Sequence, residues 1–371
     1  LAELWIVPEH VWADVAPADI PVDDGSTGID PSRVVGTGPF KLVERIVEDR
    51  TTVERHEDYW GGRPQLAQVV FPFNADPATF EPLLRSGEID TGWITFEAVP
   101  DFRTLDHIQM HEYYSHDFTG PMWNLDPERT TLFQDLKVRQ ALVHAIDREV
   151  LAEVGFLGLA TFSRTILAPG AWSNDEANVT VEYPYDPELA NQLLDEAGWV
   201  IGDDGIREKD GQRFSFTFVG TEHSTQRRVI MQEYWRAVGV EMLVEDVFDD
   251  AYSELRPAGD FDMIWTLFHV GGSGYDGLQW QFHSANYPNG GNNNMFSDPQ
   301  VDELLDGIKA ELDPEARIEL FTQLQNRVLE LLPVLPLVHD FDPRPVNKRV
   351  HNLYPNAHRT VFNAETWWVD E

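Results

Sequence analysis

The chain has 371 residues, 42% of them hydrophobic, enough to bury a large core and to build more than one domain. Its 64 acidic residues against 27 basic ones leave a formal net charge of -37, which excludes nucleic acid as a partner because no basic surface exists to neutralise phosphates. It contains no cysteine, which excludes disulfides and thiol chemistry.

The basic side is nearly all arginine, with lysine only at Lys41, Lys137, Lys209, Lys309 and Lys348. Short carboxylates hold water and cations tightly, whereas lysine stems expose apolar surface. This balance suits a halophilic protein with an acidic surface, because at 1 M salt a screening length of about 3 Å suppresses self-repulsion. An ordinary acidic secreted protein is the alternative. No apolar run approaches the length of a membrane span.

Residues 1–29 open with the stretch from Ile6 to Trp12 and pass into an acidic, small-residue loop from Asp23 to Gly28. Val34 to Phe40 reads Val-Val-Gly-Thr-Gly-Pro-Phe, and Leu42, Ile46, Thr52 and Val53 then alternate as in a hairpin. Gly36 and Gly38 do not make a phosphate loop, since the third glycine and the Gly-Lys-Ser/Thr ending are missing. A strand is expected from Val69 to Phe73, a helix from an Asp76 cap and Pro77 to Gly87, and a strand from Thr91 to Ile94. The same pairing of an aspartate cap with proline in the first turn recurs at Asp186, Asp298 and Asp313.

His107, His111 and His116 lie in a stretch whose Ile108, Met110, Tyr113 and Tyr114 read as a strand. No His-Glu-x-x-His accompanies them, and no metal or other cofactor is assigned. Leu136 to Glu149 has the clearest helical period in the chain. Val138, Ala141, Leu142, Ala145 and Ile146 form one apolar stripe, Asp135 stands at the N-cap, and Lys137, Arg139, Gln140, Asp147, Arg148 and Glu149 lie mostly off the stripe.

Further on, Gly155 to Trp172 reads as a loop and Glu188 to Ala197 as a helix stopped by Gly198. Two alternating segments turn at Asp203 to Gly205 and at Asp210 to Gly211, with Phe214, Phe216 and Phe218 on a core face. A helix from Gln226 to Val238 and a strand from Val240 to Val247 complete a βαβ-like arrangement. The strand from Asp262 to Trp265 runs into a loop, from Thr266 to Trp280, that mixes glycines with aromatic rings. Such a backbone can approach a ligand while rings supply flat contact area. Trp265, Phe268, His269, Gly271, Tyr275, Asp276 and Trp280 are its candidate ligand-binding residues, and Asn293 is another in the polar loop from Asn289 to Phe296. The last long helix places Ile318, Phe321, Leu324, Gln325 and Val328 on its inner side.

Several of these segments together resemble the solute-binding proteins of peptide and nickel ABC importers. The most recognisable is Phe133 to Leu142, Phe-Gln-Asp-Leu-Lys-Val-Arg-Gln-Ala-Leu, followed by Ala145 to Glu149, Ala-Ile-Asp-Arg-Glu. The Gly-Thr-Gly-Pro-Phe turn ending at Phe40, the aromatic pair and glycine turn between Glu54 and Pro64, and Ser-Gly-Glu-Ile-Asp at Ser86 to Asp90 match in the same order. So do Tyr-Pro-Tyr-Asp-Pro at Tyr183 to Pro187, the stretch from Asp298 to Leu305, and the exit from Leu331 to Leu337.

The resemblance implies an α/β, two-lobe periplasmic-binding-protein-like fold of type II with an incomplete first lobe. Residues 1–118 would form part of lobe I, 119–337 lobe II, and 338–371 the return to lobe I. Relatives carry further residues ahead of the Gly-Thr-Gly-Pro turn. It implies a ligand-lined strand bearing Trp123 and Asn124, of which Trp123 could equally be core, and hinges near His116 to Gly120 and Leu335 to Asp340. In peptide-binding relatives an aspartate three residues after an aromatic pairs with the peptide amine. The aromatic is matched by Phe268, the aspartate position by Gly271, and Asp276 could substitute, which leaves room for sugars.

The implied function is the extracellular solute-binding component of an ABC importer, closing two lobes around an oligopeptide-like or oligosaccharide solute and delivering it to the permease subunits. A monomer is expected, extracellular at the cell surface, anchored through a region ahead of Leu1, or periplasmic-equivalent. No nucleophile elbow, zinc motif or phosphate loop is present, so no enzyme is expected. The alternative of another class is a secreted glycoside hydrolase, for which Asp276 lacks an evident second acid.

Overall fold

The computed structural model describes residues 7–73, 77–357 and 361–370. The expected stretch beginning at Ile6 and the Asp76 cap therefore lie partly or wholly outside the described residues. The chain divides into two compact units, one made of Leu1–Glu112 with Pro343–Glu371, the other of Tyr113–Asp342.

The first unit contains an antiparallel sheet of β1 (Phe40–Ile46), β2 (Arg50–Arg55) and β3 (Gln68–Pro72). Leu42 pairs with Val53 and Glu44 with Thr52, with a bulge between Leu42 and Glu44, which is the hairpin the alternation predicted. Helix α1 (Pro77–Ser86) ends against Gly87, whose φ of +76° closes the turn. The strand expected from Thr91 to Ile94 is reduced to a single bridge between Thr91 and Val346, because the chain there turns to lay Trp93 against the Arg344 guanidinium, 3.7 Å from the ring centre. Val346, Leu353 and Trp367 form a small buried cluster in this unit.

The chain enters the second unit along β4 (Ile108–Trp123), so the histidine-bearing stretch is extended as its alternation predicted. Helix α2 (Leu136–His144) is capped by Asp135, whose carboxylate accepts the Lys137 N–H at 2.9 Å. The single helix expected to run to Glu149 is instead two. Asp147 accepts the Val150 N–H at 3.0 Å and caps α3 (Arg148–Gly155), so the first helix stops before it. Arg139, expected off the apolar stripe, is buried. Its guanidinium satisfies the carbonyls of Leu331, Phe133 and Gln134, an arrangement periodicity cannot reveal.

There follow β5 (Thr161–Phe162), α4 (Pro187–Glu196), the short strands β6 (Val200–Ile201), β7 (Arg207–Lys209) and β8 (Gln212–Arg213), then β9 (Ser215–Gly220), α5 (Thr225–Ala237) and β10 (Glu241–Asp246). Strands β9 and β10 pair in parallel across α5, a βαβ unit, and Phe214, Phe216 and Phe218 are all buried. Next come α6 (Asp249–Ala258), β11 (Met263–Phe268), α7 (Asp276–Phe282), α8 (Pro299–Ala310) and α9 (Pro314–Leu331). The aspartate caps hold where expected: Asp186 accepts from Leu189, Asp298 from Val301 and Asp313 from Ala316, each with proline in the first turn.

The chain leaves this unit along β12 (Val338–Asn347), and β13 (Val350–His351) pairs with β14 (Trp368–Val369) in the first. The central sheet runs β10-β9-β11-β4-β12-β5. One face packs on a core that includes Phe118, Ile264, Phe268, Leu305, Phe321 and Leu324. Gly120 sits where the segment before β12 crosses β4. A Cβ there would lie 2.0 Å from the Leu335 carbonyl oxygen, so only glycine lets the two backbones approach.

Candidate functional site

The second unit brings together the end of β4, the loop after β11 and helix α7. Phe118 on β4 stacks on Phe268 at the end of β11, with ring centres 4.6 Å apart and planes at 14°, and Thr119 donates its hydroxyl to the Thr266 carbonyl at 3.0 Å. These contacts fix where the loop departs. Its first residues are then caught by Asp117: one carboxylate oxygen accepts the Val270 N–H at 2.9 Å, and the other faces His269 Nδ1 at 3.0 Å.

Helix α7 closes the loop. The expected irregular stretch through Trp280 becomes helical from Asp276, because the Ser273 hydroxyl accepts the Tyr275 and Asp276 N–H groups and donates to the Asp276 carboxylate at 2.7 Å. A Cβ on Gly277 would fall 1.8 Å from the His269 carbonyl oxygen, so the helix can lie against the loop only with glycine at that position. Gln281 donates to the same carbonyl at 3.0 Å. Beneath the loop, His116, Ser173, Gly271, Gly272 and Gly274 among others line a gap too narrow to admit a water molecule. Two wider depressions flank the β1–β3 sheet of the other unit, but none of the expected binding residues lines them.

The candidate residues divide sharply. His269, Asp276 and Trp280 are exposed, Gly271 has open space around its Cα, and Tyr275 is half-buried against the core. Burial pushes the Tyr275 hydroxyl pKa upward.

The other half belongs to the interior. Trp123 is fully buried and its indole N–H bonds the Leu332 carbonyl; Asn124 spends its amide on the Gly259 and Phe261 carbonyls and its oxygen on the Asp126 N–H. Phe268 and Trp265 face the core, and Asn293 donates to the Gly290 carbonyl within its own loop. The physical reason is common to all five. A polar or aromatic side chain beside a loop either faces solvent or satisfies nearby backbone, and sequence does not say which. Asp117 escaped notice altogether; its only signal was a carboxylate in the middle of a strand otherwise rich in aromatic residues.

Burial opposes ionisation of Asp117, but His269 and the amides of Val270 and Gly271 outweigh it and hold the carboxyl below the ordinary aspartate range. This carboxyl stands on β4, at the base of the loop, and not in the loop itself. Among the described residues no three histidine or carboxylate side chains converge as metal ligands, and no helix is long and apolar enough to cross a membrane.

Two α/β units joined by two crossing strands, with accessible loops gathered beside a crossing strand, define the class of two-lobe, periplasmic-binding-protein-like folds. Residues 3–289 match the family of bacterial extracellular solute-binding proteins, family 5 Middle, and the chain belongs to that family. It is 27% identical over 379 residues to the oligopeptide-binding protein AppA of Bacillus subtilis, covering 98% of this chain and 66% of that protein. It is 29% identical to heme-binding protein A of Haemophilus influenzae, covering 86% of this chain and 57% of that one. The chain therefore spans between 57% and 66% of the lengths of these curated relatives.

Among solved structures, that of Bacillus subtilis AppA with a nonapeptide superposes with a TM-score of 0.83 at 25% identity, covering 99% of this chain and 72% of the other. NikZ of Campylobacter jejuni with Ni(L-His) shares the fold at a TM-score of 0.83 and 21% identity, covering 97% of this chain and 72% of its own.

Proposed function

We propose that this chain is the solute-binding component of an ABC importer and that its solute is an oligopeptide. It captures the peptide between two lobes by hinge closure at the crossing strands and presents it to the permease, making and breaking no bond. The observation that carries this reading is the match of nearly the whole chain, in sequence and in fold, to an oligopeptide-binding protein whose structure holds a nonapeptide. The accessible glycine and aromatic loop supports it, since such a surface offers backbone approach and flat contact area. The protein works outside the membrane, at the cell surface or in a periplasm-like space, as a monomer. The excess of 64 acidic over 27 basic residues fits a saline setting.

A thermal-shift screen in multimolar KCl and in dilute buffer, against peptides of graded length, saccharides and nickel, tests each part. Peptides alone should raise the transition temperature, and the transition should be higher and sharper in concentrated salt. A rise produced by saccharides and not by peptides would replace the peptide reading. A transition equally high in dilute buffer would remove the halophilic one.

A further inference from the structure

Asn178, Val179 and Thr180 form the one Asn-X-Ser/Thr triplet in the chain, and the middle residue is not proline. The triplet stands in an irregular segment of the second unit between β5 and α4. It begins at the end of a short helical turn, Glu176–Asn178, from which the backbone leaves extended, with Val179 at φ -84° and ψ 109°. From there the segment alternates: Val179 and Val181 are half-buried against the core, whereas Asn178, Thr180 and Glu182 are exposed. The valines anchor the segment and the polar residues face outward.

The backbone is fixed as well. Asn326 of α9 accepts the Thr180 N–H at 2.8 Å and donates to the Asn178 carbonyl at 3.1 Å, so one amide grips both ends of the triplet. The side chains are bound only at the surface. Asn178 Nδ2 donates to the Asp175 carboxylate at 2.7 Å, and the Thr180 hydroxyl donates to the Asn326 carbonyl oxygen at 3.3 Å. Water replaces either bond at small cost, because both pairs are exposed. The buried Asn292 and Asn294, by contrast, spend their amides on the Phe296 and Pro333 carbonyls.

We propose that Asn178 is an N-glycosylation site, to which a lipid-phosphate-linked oligosaccharide gives up its sugar outside the membrane. The bond formed joins the anomeric carbon of the sugar to Nδ2. The bond broken is the one from that carbon to the phosphate oxygen, which leaves with the electron pair and takes up the proton that the amide loses. A carboxamide nitrogen is a poor nucleophile, so the step needs a transferase, and the Thr180 hydroxyl is the group by which such an enzyme tells this asparagine from the others. The attached glycan projects from an exposed turn and displaces no buried group. The inference rests on the reading that the chain works outside the membrane, whichever solute it binds.

The test is mass spectrometry of the full chain, tagged at its C-terminus and recovered from the surface or the medium of the cells whose gene encodes it. Cleavage after glutamate frees Ala177–Glu182, a peptide that holds the whole triplet. Its mass should rise by one or more sugar residues, with the added mass carried on Asn178 in the fragment ions. Asn178→Gln and Thr180→Ala should each abolish the modified form, and Thr180→Ser should keep it. Recovery of the unmodified peptide alone from protein outside the membrane would overturn the proposal. Sugar carried on Thr180, or persistence of the modified peptide in Thr180→Ala, would overturn it too. Protein found only inside the cells would overturn the extracellular reading itself, and the inference with it.

Discussion

The indole N–H of Trp123, at the end of β4, donates to the Leu332 carbonyl at 2.6 Å, tying the strand to the residue that closes α9. Trp123 has no solvent exposure, and Phe133 packs on its ring with centres 5.9 Å apart. Trp123→Phe leaves a buried carbonyl without its donor and a void beside Phe133. The expected cost is about 2–4 kcal/mol. Urea denaturation should show a lower midpoint with an unchanged slope, while the folded fraction binds solute as before.

The crossing at Gly120 is less tolerant. Its substituent position lies 2.0 Å from a backbone oxygen, which cannot rotate away as a side chain would. Gly120→Ala should cost about 3 kcal/mol or more, and the displacement should reach the pairing of Leu335 and Leu337 with Pro121 and Thr119. Amide hydrogen exchange at Leu335 and Leu337 is the direct readout; unchanged protection there would contradict the prediction.

His339 on β12 is buried, with Nε2 3.0 Å from the Ser163 hydroxyl. Burial lowers its pKa from 6.5 to about 4. The unfolded chain therefore binds the extra proton first as pH falls, and stability drops between pH 6.5 and 4, by up to roughly 3 kcal/mol from this group. His339→Gln keeps a donor for Ser163 but cannot titrate. The gap in urea midpoint between variant and parent, compared at pH 7 and pH 4.5, should move in the variant's favour at the lower pH.

Arg228 in α5 is completely buried and donates to the carbonyls of Phe218, Glu245 and Thr221 while pairing with Asp246. Removing it takes a donor from the Phe218 and Glu245 carbonyls and leaves a void in the interior, while the Thr221 carbonyl keeps Ser224 and the part-exposed Asp246 keeps the Thr225 hydroxyl. Arg228→Ala should destabilise by about 2–4 kcal/mol. Arg228→Lys should recover little of it, because one ammonium cannot span a planar fork's partners. Thermal melts of the two variants side by side decide the point.

Much of this architecture was legible from periodicity and punctuation. The β1–β2 hairpin, the three aspartate caps with proline behind them, the triple phenylalanine at 214, 216 and 218, and the βαβ around α5 are local decisions. Each depends on residues within a few positions of one another, and each stands in the structure. The helix that split at Asp147 also had its signal in sequence, since an aspartate before Arg-Glu-Val is as good a cap as the one at Asp135, but the continuous apolar stripe concealed it.

The candidate site was legible only as a region. The stretch of glycines and aromatic residues after β11 is partly exposed, yet composition cannot tell an aromatic ring that faces solvent, as Trp280 does, from one stacked in the core, as Phe268 is. Nor can it tell an asparagine left for a ligand from Asn124, whose amide is consumed by carbonyls more than 130 positions away.

What the sequence determined by itself is much of what short-range geometry governs: the β1–β2 hairpin, the aspartate caps, the phenylalanine face, the βαβ around α5, and through them the family. What only the tertiary structure decided is which polar groups remain for a partner. Asp117 meets Val270 and His269 across more than 150 residues of chain. Hydrogen-bond satisfaction is settled by neighbours in space, so the fate of a carboxylate or an amide is fixed only when the backbone around it has closed.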